Sequence, residues 1–229
     1  MSKLIGIIGA MDIEVDGLVS SMTNASVKEI SGIKFYSGKI GDREVVVAKC
    51  GIGKVFASIC TQAMIMEYHP DAIINSGVAG TLSSELGVLD VAIAKNVVQH
   101  DMDTSAIGDP KGLISGINVI YIDASSEVIK ALENACKKLE CKSKTGTIAS
   151  GDKFISQKAD KDFIKNEFSA IACEMEGASV GHVCYVNNIP FGIIRTISDG
   201  EGAEMDYQAF ASLAAKQSIE IVKKFIELY

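Results

Sequence analysis

Residues 72–80 read AIINSGVAG, an apolar run that ends in a glycine-rich turn. Residues 4–9, which read LIGIIG, give a similar run near the start of the chain. Strands that are apolar on both faces are typical of sheets covered by helices on both sides. Residues 72–76 are therefore predicted to form a buried strand of a central sheet.

Strand and helix patterns continue along the whole chain on either side of this run. A Gly41-Asp42 turn joins two of the predicted strands as a hairpin. The further strands are predicted at residues 33–40, 44–49, 88–98, 145–150, 170–173 and 191–198, and the helices at residues 13–22, 54–68, 126–139, 176–187 and 207–227. This mixture predicts an α/β fold, in three α/β/α layers around a mixed, twisted central sheet. No linker or repeat stands out, so residues 1–229 are predicted to be a single domain.

Composition excludes several classes of protein. The chain has 229 residues, 48% of them apolar, which is enough for a sizeable core. Its net charge of −7 argues against nucleic acid or an anionic membrane as the main partner. No apolar run approaches the ~20 residues of a membrane helix. Six cysteines without a C-x-x-C pair suggest reduced thiols, and hence a cytoplasmic location.

The motifs for cofactors are incomplete. Gly51-Ile52-Gly53-Lys54 resembles part of a phosphate-binding loop, but Val55 follows where serine or threonine is needed. Gly6 and Gly9 lack the third glycine of a dinucleotide site. The three histidines have no metal-ligand spacing. We therefore expect neither a cofactor nor a metal.

Four polar or glycine-rich segments come directly after predicted strands. They read GAMDIE at residues 9–14, NSGVAG at 75–80, CEMEGA at 173–178 and RTISDG at 195–200. Ligands of α/β sheets bind where strands end. Acids are also favoured at helix N-termini, and this second explanation is kept for Asp12 and Glu174. The convergence of four such segments predicts a binding site.

Six motifs together carry a family resemblance. These are the GAM-x-x-E of residues 9–14, GIGKV at 51–55, NSGVAG at 75–80, SGDKFI at 150–155, EMEGA at 174–178 and RTISD at 195–199. In this order and spacing they resemble the 5′-methylthioadenosine/S-adenosylhomocysteine nucleosidases of the purine nucleoside phosphorylase superfamily. The resemblance extends from Ile5 to Ser218 and implies a nucleoside phosphorylase-like fold.

The resemblance implies roles for three carboxylates. Asp199 would be the general acid at N7 of adenine, Glu14 would activate the attacking water, and Glu176 would accept hydrogen bonds from the ribose hydroxyls. Cleavage of the C1′–N9 bond leaves a cation-like sugar and an anionic base, so an acid, a base and a nearby negative charge all suit the reaction. For Asp199 to carry a proton near neutral pH, we expect apolar neighbours around it.

The resemblance also implies the substrate contacts. Ser198 is a candidate to orient Asp199, with a hydrogen bond to the backbone as the alternative. Met11 and Met175 are candidates for the alkylthio pocket, with core packing as the alternative. The remaining substrate contacts are Phe154, stacked on adenine, Ile155, whose backbone reads the base edge, Gly80, which closes the glycine loop, and Tyr207, over the ribose and thio group.

The nucleophile is predicted to be water rather than phosphate. Phosphorylases of this superfamily place an arginine and a serine in the segment where this chain has Asn75 and Val78. A phosphate dianion would lack a charge partner there, and Glu14 would repel it. The resemblance therefore implies hydrolysis of 5′-methylthioadenosine and S-adenosylhomocysteine, and also of 5′-deoxyadenosine.

The segment at residues 99–108 implies a partner. In the family, this loop reaches across a dimer interface, so Thr104 and Ile107 would cover the 5′ tail of the ligand in the partner's site. We expect a homodimer that binds a small adenine thionucleoside. Two alternatives remain open: a nucleosidase for another adenine nucleoside, such as aminodeoxyfutalosine, and a non-catalytic nucleoside-binding protein.

Overall fold

The protein is described by a computed structural model over residues 3–199 and 207–229, with the side chains of residues 207–209 outside the description. Strands and helices follow one another along both ranges. The strands are β1 (Leu4–Gly9), β2 (Thr23–Ile30), β3 (Ile33–Ile40), β4 (Arg43–Lys49), β5 (Ala72–Thr81), β6 (Val91–Gln99), β7 (Ile122–Asp123), β8 (Ser143–Ser150), β9 (Ala170–Glu174) and β10 (Phe191–Asp199). The helices are α1 (Asp12–Val19), α2 (Lys54–Tyr68), α3 (Ser126–Lys138), α4 (Lys158–Phe168), α5 (Gly177–Val186) and α6 (Tyr207–Leu228).

The ten strands form one mixed sheet, as predicted. Its order is β10-β6-β8-β9-β5-β1-β4-β3-β2, with β7 paired to β6. Strand β10 also pairs with β5, so β5, β10, β6, β8 and β9 close into a ring. The sheet is therefore barrel-like at one end and open at the other, which is a stronger curvature than the predicted twist.

Helices cover both faces of the sheet and complete the three layers. Successive side chains of a strand point to opposite faces, so Ile7 packs in one core cluster with α1, α3 and α6. Its neighbour Ile8 packs in the other cluster with α2 and α5. Strands that are apolar on both faces therefore contribute side chains to two cores, which confirms the fold predicted from residues 4–9 and 72–76.

Some local predictions differ from the structure. The helical spacing that supports the prediction of α2 is the stripe of Val55, Ile59, Ala63 and Met66. Of these, Ala63 packs against the core, whereas the other three are exposed, and Cys60 and Met64 fill the core. Strand β2 was not predicted, because it is a polar edge strand with nearly every side chain exposed and so has no apolar run to mark it. Helix α4 was not predicted either, and it carries Lys161, whose ammonium contacts the Asp199 carboxylate.

The sheet positions the strand ends that the sequence singles out. Strands β1, β5 and β10 run parallel, so Gly9, Gly80 and Asp199 lie at one edge. Strand β9 runs antiparallel to β5, but its end still reaches this edge because Cys173 pairs with Gly80. No helix of the described residues is long and apolar enough to cross a membrane.

Candidate active site

A cavity of about 300 Å³ opens at this edge of the sheet. It combines apolar walls with several carboxylates, a composition typical of small-molecule sites. The predicted site residues that line it are Met11, Glu14, Gly80, Phe154, Ile155, Met175, Glu176, Ser198 and Asp199. The other lining residues are Ala10, Ile52, Val78, Ala79, Lys153, Cys173 and Glu174.

Glu14 is a buried carboxylate held entirely by main-chain amides. Its Oε2 accepts hydrogen bonds from the amides of Ala10 (2.7 Å) and Met11 (3.0 Å), and its Oε1 accepts one from Val78 (3.1 Å). Burial raises its pKa above the ordinary value, while the positive charge of Arg195 and these amides oppose the rise. A carboxylate fixed in this way, with a raised proton affinity, has the properties of a general base.

Gly77 makes room for the Glu14 carboxylate. A Cβ atom at position 77 would lie 2.5 Å from Oε1 of Glu14. The glycine-rich segment that follows the buried part of β5 therefore has a steric function: it lets a carboxylate from the β1–α1 turn approach the β5 backbone.

Asp199 lies at the end of β10 against Gly80 of β5. A Cβ atom at Gly80 would lie 3.0 Å from Oδ1 of Asp199, so this glycine also gives space to a carboxylate. The Nζ atom of Lys161, on α4, lies 2.9 Å from Oδ2 of Asp199. The expectation of apolar neighbours around Asp199 did not include this cation, which forms an ion pair with its carboxylate.

Ser198 does not play the predicted orienting part in this structure. Its buried hydroxyl donates to the carbonyl oxygen of Ala79 (3.4 Å), which is the backbone alternative. The side chain that contacts the Asp199 carboxylate comes instead from Lys161. Ser198 lines the same cavity as Asp199, but its hydroxyl is engaged by the β5 backbone.

Arg195 is fully buried and organises the floor of the cavity. Its guanidinium donates to Glu174 through both Nε and Nη2, and to the side-chain oxygen of Asn75. Burial disfavours the Glu174 carboxylate, but Arg195 and the hydroxyl of Ser150 outweigh this effect and hold the pKa of Glu174 below its ordinary value. Glu174 also accepts from the amide of Gly177 (2.8 Å), so the helix-terminus explanation for this residue describes only part of its environment.

Glu176 is a second carboxylate of this cluster whose proton affinity is raised. Its Oε1 accepts from the amide of Gly53 (2.9 Å), and its Oε2 lies 3.9 Å from Nη2 of Arg195. Burial, followed by repulsion from Glu174, raises the pKa of Glu176 to about 7. The guanidinium stabilises Glu174 as an anion, and of these two carboxyls Glu176 has the higher proton affinity.

The Gly51–Lys54 segment, which fails as a phosphate-binding loop, has a structural role here. Gly51 and Gly53 have φ values of 94° and 98°, which favour glycine. This turn presents the amide of Gly53 to Glu176 and the amide of Lys54 to Asp152 (2.7 Å). It also places Ile52 in the cavity wall.

Two predicted residues do not line this cavity, and the side chain of a third is outside the described residues. Ile107 is exposed in the short 3-10 turn Ser105–Ile107, and Thr104 donates to Asp109 (2.8 Å). Both lie away from the cavity of their own chain, as residues directed to a partner would. Tyr207 begins α6, but its side chain lies outside the described residues.

Sequence reasoning missed Lys161 and gave no role to Arg195. No spacing rule connects Lys161 to Asp199, because the contact joins a helix and a strand 38 positions apart. Arg195 stood in a quoted motif, and a buried strand with one charged residue is a signal for a buried ion pair. In the described ranges, no cluster of three or more histidine, cysteine or acidic side chains could hold a metal ion.

The arrangement suits acid–base chemistry at a small polar ligand. Glu14, Asp199 and Glu176 all line the cavity. An exposed Phe154 and a buried Ile155 add apolar surface to it. Such a cavity can bind an aromatic base and a sugar, with one carboxyl near each reacting end.

Comparison with known proteins agrees with this geometry. The sequence profile of the phosphorylase superfamily matches residues 4–227. A 5′-methylthioadenosine/S-adenosylhomocysteine nucleosidase from Staphylococcus aureus (strain JH9) is 40% identical over 227 residues, which cover 97% of this chain and 99% of that protein.

Solved structures are similar over nearly the whole chain. A Helicobacter pylori nucleosidase mutant with 5′-methylthioadenosine in its active site has a TM-score of 0.94 and 34% identity, covering 99% of both chains. The Neisseria meningitidis nucleosidase with methylthio-immucillin-A has a TM-score of 0.94 and 31% identity, covering 98% of this chain and 99% of that one. A futalosine hydrolase from Helicobacter pylori has a TM-score of 0.93 and 35% identity, covering 99% of this chain and 98% of that one.

Proposed function

The chain belongs to the phosphorylase superfamily and, within it, to the 5′-methylthioadenosine/S-adenosylhomocysteine nucleosidases, and from this premise we propose how it acts. It is an N-ribosyl hydrolase that cleaves 5′-methylthioadenosine and S-adenosylhomocysteine into adenine and a thioribose product. 5′-Deoxyadenosine is expected to be a further substrate. The observation that carries this proposal is the pair of carboxylates, Glu14 and Asp199, that line one cavity from two strand ends.

In the proposed mechanism, the base and the sugar are handled by different carboxyls. Adenine stacks on Phe154, and the backbone of Ile155 reads its edge. Asp199 protonates N7, so that the C1′–N9 electron pair leaves with a neutral base. Glu14 takes a proton from water as the water attacks C1′, and the carboxylate of Glu176 binds the ribose hydroxyls and favours the cation-like sugar.

Water is favoured over phosphate because the buried cation is already paired. The guanidinium of Arg195 is occupied by Glu174 and Asn75, and the Val78 amide by Glu14. A phosphate dianion at this place would have to displace a carboxylate from these donors. Met11, Ile52 and Met175 give an apolar wall that suits a thioether tail.

The test is the release of adenine from 5′-methylthioadenosine in phosphate-free buffer, followed by chromatography. Release that does not depend on phosphate is expected. No release, or release only after phosphate is added, contradicts the proposal. Tight binding of the nucleoside without cleavage would instead support the non-catalytic alternative.

A second candidate substrate is an aminodeoxyfutalosine-type nucleoside. The observation that favours it is the similarity to the futalosine hydrolase. The same acid and base would serve, so only the 5′ pocket distinguishes the two. A panel of adenine nucleosides with different 5′ groups separates them by the ratio of kcat/KM: a higher value for the futalosine-type compound would favour this second reading.

We also propose that the protein is a homodimer. Several large apolar side chains are exposed on α2 and α5 and in the loop before α2, and they are typical of a surface covered by a partner. They are Ile52, Val55, Phe56, Ile59, Met66, Tyr185 and Val186. Thr104 and Ile107 would reach into the partner's cavity and cover the 5′ tail of its ligand.

Analytical ultracentrifugation tests this assembly. Val55→Glu should dissociate the dimer, whereas Leu213→Glu, at an exposed apolar residue of α6 on the other face of the sheet, should not. A monomeric wild-type protein would contradict the proposal. Ile107→Ser should keep the dimer and raise KM most for substrates with long 5′ tails.

We place the protein in the cytoplasm. All six cysteines are free thiols, and five of them are buried, which suits a reducing compartment. Fractionation of the source cells, with detection by antibody, tests this location. Recovery outside the cytoplasmic fraction would contradict it.

A further inference from the structure

The ion pair between Lys161 and Asp199 has no part in the mechanism above, and it differs from the other lysine pairs. The side chains of Lys161 and Asp199 are only 11% and 17% exposed. By contrast, Lys158 and Asp162 on the same helix form an ordinary surface pair, 83% and 45% exposed. A shielded pair is stronger and more sensitive to its geometry than a solvated one.

The Asp199 carboxyl contacts the cavity on one side and Lys161 on the other. Asp199 lines the cavity, whereas Lys161 lies outside the ring of lining residues and contacts Oδ2 at 2.9 Å. The lysine therefore approaches the carboxyl from behind. Helix α4 begins three residues after Ile155, so the lysine is carried by the segment that follows the base-binding residues.

Among the described residues, Lys161 is the cation that forms an ion pair with Asp199. From β9, Cys173 faces both side chains, and burial raises its pKa to about 12, so it stays a neutral thiol. Lys153 lines the same cavity, but its ammonium pairs with Asp160 at 2.7 Å. Glu14, Glu174 and Glu176 are the other carboxylates that line the same cavity.

This arrangement raises a chemical difficulty. An ammonium in contact with a carboxylate favours the ionised carboxylate, yet the departing adenine needs a proton. The ammonium itself is a proton source in hydrogen-bond contact with the acid. The two side chains together therefore hold a proton that can be transferred, because the ammonium of Lys161 carries one even when the Asp199 carboxylate does not.

We propose that Lys161 is a positioning residue for Asp199 and that the two form one acid, in which the ammonium supplies the proton that passes through Asp199 to the departing base. This rests on the proposed nucleosidase function. The C1′–N9 electron pair stays with adenine, N7 gains a proton through the Asp199 carboxyl, and Lys161 becomes a neutral amine. Water gives its hydroxyl to C1′ and its proton to Glu14, and solvent exchange returns a proton to Lys161.

The pair predicts a particular pH dependence. A lysine ordinarily keeps its proton up to about pH 10, whereas an isolated aspartic acid loses it near about pH 4. Lys161→Met should therefore move the alkaline limb of the kcat profile down by about one pH unit or more, and should lower kcat at pH 8 about tenfold or more.

The experiment compares Lys161→Met with Lys158→Met, which removes a lysine of the same helix from a solvated pair. Adenine release from 5′-methylthioadenosine is measured as kcat and KM across the pH range, and thermal unfolding checks that each variant is folded. The expected result is a shifted alkaline limb for Lys161→Met and a wild-type profile for Lys158→Met. Identical profiles for the two variants would overturn the proposal.

A second variant covers the case in which Lys161→Met fails to fold. Lys161→Arg keeps a cation beside Asp199 but holds its own proton too tightly to transfer it. It should retain the wild-type KM and still have a shifted alkaline limb; a wild-type kcat profile for Lys161→Arg would refute the transfer. If the wild type itself releases no adenine, the proposed function fails and not this inference alone.

Discussion

Gly77→Ala should disable the base without unfolding the protein. Position 77 lies within β5, and its backbone passes directly beside the carboxylate of Glu14. The new Cβ would lie 2.5 Å from Oε1, where ordinary contact begins near 3.4 Å. The carboxylate must therefore retreat by about 0.9 Å, because the β5 backbone at Gly77 is held in the sheet by its pairing with Arg195 of β10.

The size of the effect follows from this displacement. A misplacement of about 1 Å at a reacting group costs on the order of a hundredfold in rate, or about 2.7 kcal/mol of barrier. The binding surface for the base is left intact, since Phe154 and Ile155 are on another segment. We therefore expect kcat for adenine release to fall about a hundredfold, while KM changes by less than about threefold.

The assay needs a control for the general effect of adding a methyl group. Gly87→Ala is suitable, because a Cβ there would meet only Oδ2 of Asp90, at an ordinary distance of 3.7 Å. Steady-state kinetics and circular dichroism are measured for both variants and the wild type. A Gly77→Ala enzyme that is folded and has wild-type kcat would refute the idea that Glu14 must occupy its observed position.

Three further predictions address the other charged residues. Asp199→Asn should lower kcat about a hundredfold or more while calorimetry shows the nucleoside still bound; unchanged turnover would remove Asp199 from the acid role. The pKa of Glu176 is raised to about 7 from 4.5, so its ionisation destabilises the folded state as pH rises through this window. Glu176→Gln should thus raise the free energy of unfolding in urea by up to about 3 kcal/mol near pH 8 and leave it nearly unchanged near pH 4, and an equal difference at both pH values would contradict this assignment. Arg195→Met should cost about 3–5 kcal/mol of unfolding free energy by leaving Glu174 unpaired, whereas Lys144→Met, in a partly solvated pair, should cost less than about 1 kcal/mol; equal losses would contradict the role of Arg195.

The fold could be predicted from the sequence where one-dimensional patterns carry the structure. Strands such as β1 and β5 are apolar on both faces and bounded by glycines, so their type and burial are readable. The closure of the sheet into a ring could not be predicted from the sequence, because it depends on the pairing of β10 with both β5 and β6. The stripe of Val55 and Met66 predicted a helix, but helical period alone does not say whether an apolar face meets the core or a partner.

The site was predictable where a residue belongs to a motif at a strand end. Glu14, Glu176 and Asp199 follow strands and converge because parallel strands end at one edge. Lys161 was beyond reach, because its contact with Asp199 depends on how α4 packs against the sheet. The hydroxyl of Ser198 shows the same limit: its partner depends on the face of β10 that it occupies.

The pairing of Arg195 gives a physical reason for the choice between water and phosphate. Glu14, Glu174 and Glu176 all act on this one buried guanidinium, so the cavity floor has more negative than positive charge. Burial and then repulsion from Glu174 raise the pKa of Glu176, so the excess of carboxylates contributes to this shift. A phosphate dianion would add to this excess, whereas a neutral water molecule adds nothing and can deliver a proton to Glu14. The same negative floor favours a sugar that becomes positively charged as its bond to the base breaks, so one charge arrangement both disfavours the anionic nucleophile and stabilises the transition state of hydrolysis.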